Sequence, residues 1–114
     1  MGSSGLVGPF QLCAEGIDVA VRKASPGVFA LGCIDREGRF ILNRVGRTDS
    51  DLRGALRNFI GSDALFKFTY LHDPRVAFEK ECELFHKFHP NGNFLHPHSP
   101  PGSGWTCPYC MRGF

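Results

Sequence analysis

Glu81 is a carboxylate placed where a helix should be oily. Residues Asp73–Phe88 read as that helix: Asp73 can cap it, Pro74 suits its first position, and no Gly or Pro follows before Pro90. At about 100° per residue, Ala77, Phe78, Cys82, Leu84, Phe85 and Phe88 gather on one side, while Glu79, Lys80, Glu83, His86 and Lys87 gather on the other. Glu81 projects between Phe85 and Phe88, inside the apolar arc. A buried carboxylate without a partner costs several kcal/mol, so it needs a cation, a metal ion or a proton. It is either paired with an arginine at the rim of the apolar face or part of a catalytic, metal-binding site.

A second set of residues suits a metal. Cys107-Pro108-Tyr109-Cys110 is a C-x₂-C string, and Cys82 and His86 are adjacent at i, i+4 on the Glu81 helix. Together they form a Cys₃His set suited to tetrahedral zinc, with His89, His96 and His98 as rival fourth ligands. The same CPYC string serves glutaredoxin-type redox sites, but that chemistry needs a strand before it and a helix after it to lower the thiol pKa. Only Met111–Phe114 follow. Two unligated thiols on a frayed tail are the remaining alternative. Trp105 should pack on the helix, and the His/Pro-rich stretch before it serves as a spacer or a rigid binding loop.

A third group is basic. Arg39, Arg44, Arg47, Arg53 and Arg57 fall in one short stretch, although the net charge of +2 is too small to identify a nucleic-acid binder. They form a solvated face or contact phosphate. Arg44 stands out, because a hairpin strand before a tight Gly46 loop would bring it near Glu81 and allow a charge pair to replace a metal there.

The elements that must position these groups fit one domain. The chain has 114 residues, 42% hydrophobic and 21% charged, which argues against disorder throughout. Residues 1–25 read as a flexible N-terminal arm with one short helix near Ile17–Val21. Gly27–Asp35 and Arg39–Val45 form a strand hairpin, Gly46–Asp51 a loop, Asp51–Ile60 a helix ended by Gly61, and Leu65–Tyr70 a strand alternating at Phe66, Phe68 and Tyr70. The Glu81 helix follows. Residues 26–90 make the domain and residues 91–114 a Pro/His-rich loop with the CxxC tail. The expected fold is α/β, a small three-stranded, mainly antiparallel sheet flanked by helices.

Gly27-Val28-Phe29, Arg44-Val45-Gly46, the helix that follows and Glu81 on a later helix together resemble the GIY-YIG nuclease superfamily over about residues 26–90. The resemblance implies metal-dependent cleavage of a DNA phosphodiester. A carboxylate (Glu81) would hold Mg²⁺ or Mn²⁺, sheet tyrosines would activate water, and a helix arginine would stabilise charge on phosphate. The sequence departs from that pattern. The GIY tyrosine is Phe29, the YIG tyrosine is Arg44, and the helix arginine position is Ala55. Tyr70 and His72 are the nearby-in-sequence candidates for substitute groups. Each lost transition-state donor costs about 10²–10³ in rate. The expectation is therefore a GIY-YIG-like protein with impaired endonuclease activity, gripping DNA phosphates through Arg44, Arg47, Arg53 and Arg57. The alternative is a non-catalytic nucleic-acid- or protein-binding module stabilised by zinc.

No apolar run approaches the roughly 18 residues that a membrane helix needs, and MGSSGLVGPF lacks the features of a signal peptide. With five cysteines and no secretory leader, the expectation is an intracellular chain with reduced thiols and no membrane partner.

Overall fold

The computed structural model describes residues 5–93 and 95–110. Residues 1–4 of the expected arm, Phe94 of the loop and residues 111–114 of the tail lie outside the described residues. The elements run β1 (Val7–Gln11), α1 (Ala14–Ala20), β2 (Gly27–Ile34), β3 (Phe40–Thr48), α2 (Leu52–Arg57), β4 (Leu65–Tyr70) and α3 (Pro74–Phe88). They build an α/β fold with three helices on one antiparallel sheet of strand order β1-β4-β2-β3.

The sheet has four strands where three were expected. The additional one, β1, comes from the segment read as an arm and pairs with β4 through Val7↔Phe68 and Phe10↔Phe66. Pro9 is tolerated there because β1 is an edge strand. Leu12, Ile17 and Val21 of the same segment are buried in the core. Residues 7–21 are therefore part of the domain.

β2 is central and covered on both faces. Phe29 and Leu31 join Leu52 and Leu56 of α2, Ile17 of α1, and Phe66 and Phe68 of β4. Val28 and Ala30, pointing the other way, join Val45 of β3 with Ala77 and Leu84 of α3. Burial on both sides explains why GVFALG reads as an unbroken apolar run. A third cluster lies beside α3, where Phe78 and Cys82 meet Cys107 and Trp105 of the C-terminal segment.

α3 begins as its sequence dictates: the Asp73 carboxylate accepts a hydrogen bond from the Val76 amide at 2.9 Å, and Pro74 opens the first turn. It ends at His89, whose left-handed backbone (φ 46°) precedes Pro90. β3 runs further than the expected Arg39–Val45. Gly46, Arg47 and Thr48 remain in the ladder, opposite Phe29, Val28 and Gly27. No helix among the described residues is long and apolar enough to cross a membrane.

Candidate functional site: a cleft at the β3 edge and a His/Cys centre beside it

The extra length of β3 decides which arginine meets Glu81. Side chains alternate along a strand, so Arg47 shares the face of Val45 and Arg44 shares the face of Gly46. Val45 packs toward α3, and Arg47 accordingly reaches the α3 carboxylate. Its Nη1 donates to Glu81 Oε1 at 2.7 Å. The positive companion is thus Arg47, not Arg44. Arg44 lies over the Phe59 ring, 5.6 Å from its centroid, and borders a small hollow with Gly92, Asn93 and Leu95.

Glu81 is only 7% exposed. Burial raises its pKa above the usual carboxylate value, and the hydrogen bond and charge of Arg47 draw it back without cancelling that rise. Arg47 is held from several sides. Its Nη2 donates to the His98 carbonyl, its Nε lies 3.5 Å from Asp49 Oδ1, and its guanidinium stacks 5.1 Å from the Phe78 ring centroid. Nε is buried without a hydrogen bond among the described residues, so Asp49 serves it as a charge neighbour only.

This pair forms one wall of a cleft of about 450 Å³ lined by Phe29, Gly46, Arg47, Asp49, Ala55, Asn58, Phe59, Glu81 and His98. Gly46 is required by the Phe29 ring: a Cβ at this position would lie 2.5 Å from Phe29 Cζ. Phe29 in turn packs on Phe59, with centroids 5.6 Å apart. Tyr70 and His72 are not in the cleft. The Tyr70 hydroxyl accepts from the Arg22 amide at 2.9 Å, and both residues line a separate hollow with Lys23.

The other expected phosphate ligands have protein partners. Arg53 donates from Nε and Nη2 to the Val21 carbonyl, and Arg57 donates to Asp18 at 2.6 Å. Their side chains are still 40% and 49% exposed, and both lie at the α1–α2 contact rather than in the cleft.

The His/Cys centre lies near the far end of α3. His86, His96, Cys107 and Cys110 bring one donor atom each to within 4.8 Å of one another. His86 Nε2 is 3.3 Å from His96 Nε2, 3.4 Å from Cys107 Sγ and 3.5 Å from Cys110 Sγ, and His96 Nε2 is 3.2 Å from Cys110 Sγ. A tetrahedral zinc with ordinary Zn–N and Zn–S bonds needs its ligand atoms about 3.3–3.8 Å apart. Four of the six donor pairs lie at 3.2–3.5 Å and all within 4.8 Å, so the donors are positioned to hold a metal ion, and the two-nitrogen, two-sulfur set is compatible with structural zinc.

The fourth donor is His96, where Cys82 was expected. Cys82 is fully buried in the Phe78 cluster with Cys107 and is not among the four clustered donors. Burial first, and then the hydrogen bond with Cys107, hold that thiol well above its ordinary pKa. Burial also pushes the Cys107 thiol upward. Hydrogen bonds from the Tyr109 amide and from His96, Cys110 and Cys82 outweigh that effect and bring it to about 6, a value suited to a thiolate ligand. The His96 ring is oriented as a ligand: Nδ1 lies 2.8 Å from the Pro97 carbonyl, which can only accept, leaving the Nε2 lone pair toward the thiols.

His98, Asp49 and Asn93 were not singled out for these roles from sequence. His98 stood only as a rival metal ligand, and its string HPH carried no sign that its carbonyl would bind Arg47. Asn93 docks on the β3 edge, its Oδ1 accepting from the Val45 amide at 2.8 Å and its Nδ2 donating to the Val45 carbonyl at 3.1 Å. Comparison of the chain with protein-family models, curated proteins and solved structures returned no match.

Proposed function

We propose that this chain is a GIY-YIG-like domain that binds nucleic acid, chiefly DNA, at the β3-edge cleft, with its C-terminal segment supported by zinc and with cleavage lost or strongly impaired. One observation carries this reading. Phe29, Gly46, Ala55 and Glu81, four of the positions on which the resemblance rests, come from β2, β3, α2 and α3 and line the same cleft, whereas Arg44, at the YIG-tyrosine position, borders the neighbouring hollow.

The residues do not fit a catalytic Mg²⁺ or Mn²⁺ at Glu81, because Arg47 already takes the carboxylate at 2.7 Å. A guanidinium in that place neutralises the anion that a metal would otherwise serve. Among the described residues lining the cleft there is no tyrosine to assist a water nucleophile. Binding without cutting follows. Arg44, Arg53 and Arg57, partly exposed outside the cleft, supply flanking phosphate contacts that grip without reading sequence. At the second centre the donor set fits zinc, which would tie the C-terminal segment to α3.

Fluorescence anisotropy with a short labelled DNA duplex tests the proposal. Binding is expected at low salt, weakening as salt rises, with a shallower salt slope for Arg44→Ala. No binding at low salt would remove nucleic acid as the ligand. A protein-binding module on the same fold would be the alternative left.

A further inference from the structure

We infer that the His/Cys centre is a clamp that holds the chain between α3 and the CxxC turn against the β3 edge, so that metal occupancy sets whether the cleft wall is complete. The inference rests on reading the four side chains as a metal centre, and goes beyond it by assigning the metal a task at the neighbouring site.

The connection can be followed atom by atom. β3 is an edge strand, and its outward backbone groups would be open to solvent or to another strand. The chain after α3 covers them instead. The Gly92 amide donates to the Asn43 carbonyl at 2.6 Å, and the Asn93 side chain takes both the amide and the carbonyl of Val45. Further along, the His98 carbonyl accepts from Arg47 Nη2, and His98 lines the cleft. Between these contacts stands His96, whose Nε2 points into the centre with His86 and Cys110.

Among the described residues of the covering chain, Leu95 is 71% exposed and none lies in a helix or strand; besides the contacts above, Pro90 is buried and the His96 ring meets Phe85 at 5.3 Å. A few hydrogen bonds at a strand edge, each contributing little net stability, hardly offset the ordering of such a segment. One metal bond from His96, with His86 fixed on α3, supplies that anchorage. Without it the Val45 edge opens, His98 leaves the cleft wall, and Arg47 keeps Glu81 but loses its carbonyl acceptor.

The experiment is amide hydrogen exchange on the full chain as purified and after chelation, preceded by elemental analysis for bound metal. On metal removal, exchange at Val45 and Gly92 is expected to rise at least tenfold, while Ala30 in the central strand remains protected. Linkage demands the reciprocal effect. Asn93→Ala, which touches no ligand, should weaken metal affinity about tenfold in a competition titration with zinc and a chelator, and exposed Glu37→Ala should leave it unchanged. Metal that binds while Val45 exchange ignores its removal would overturn the clamp and leave the metal centre standing. Uniform loss of protection through Ala30 would also overturn it, since the metal would then support the whole fold. A chain that holds no metal, before or after zinc addition, would overturn both.

Discussion

Arg47 on β3 and Glu81 on α3 form a 2.7 Å ion pair, 14% and 9% exposed at their side chains, that joins the sheet edge to the helix covering it. The relationship has a cost and a use. Removing both charges from water is expensive, and their attraction recovers that expense only while both partners remain. It also leaves Glu81 without need of a metal.

Arg47→Ala should therefore destabilise the fold by about 3–5 kcal/mol, because a buried carboxylate is left alone. Arg47→Met combined with Glu81→Leu should cost far less, since the pair is replaced by apolar groups of similar volume. Urea unfolding of the two variants checks this. Equal losses would mean that the ion pair carries no coupling.

Glu81 should also leave a signature in pH. Its folded pKa is raised above the ordinary value of 4.5, so the native state holds that proton more tightly than the unfolded chain. The contribution is fully present below pH 4.5 and is lost as pH rises through the folded pKa. The stability of the wild type relative to Glu81→Gln should consequently decline upward from that point. A difference that instead grows with pH would show that Arg47 outweighs burial.

Gly46→Ala places a methyl group 2.5 Å from Phe29 Cζ. The expected cost is about 1–3 kcal/mol by thermal or urea unfolding. Phe29→Leu in the same chain should recover part of it, because the clash is with the far end of the ring. Additive losses would indicate that the ring is not what excludes a side chain at Gly46.

The four clustered donors can be separated by substitution. Purified protein should hold one zinc per chain, His96→Ala and Cys110→Ser should lose it, and Cys82→Ala should keep it. The check is elemental analysis with the emission of Trp105, which packs 6.0 Å from Phe78 beside the centre. Zinc lost with Cys82 and retained without His96 would restore the Cys₃His set.

How much could be seen in the sequence follows from the range of the interactions involved. β2, β4 and α3 were legible because their causes are local: an apolar run, alternation at Phe66 and Phe68, and the Asp73-Pro74 cap. The burial of Glu81 followed from helical angle alone. β1 was missed because VGPFQ has no strand pattern of its own and becomes a strand only by pairing with β4. Gly46-Arg47-Thr48 read as a loop, since Gly and polar residues punctuate sequences, yet the ladder with β2 continues through them. That boundary error exchanged Arg44 for Arg47. Cys82 was preferred over His96 because i, i+4 neighbours are visible on a helix, whereas the return of a long segment to α3 is not.

The central proposal is that Arg47 stands where a metal would serve Glu81, in a domain proposed to grip DNA without cutting it. Supercoiled plasmid incubated with Mn²⁺ and high concentrations of wild-type protein, beside Glu81→Ala, tests this most directly. The account predicts plasmid bound by the wild type and left intact in both reactions. Nicking by the wild type that disappears in Glu81→Ala would contradict it.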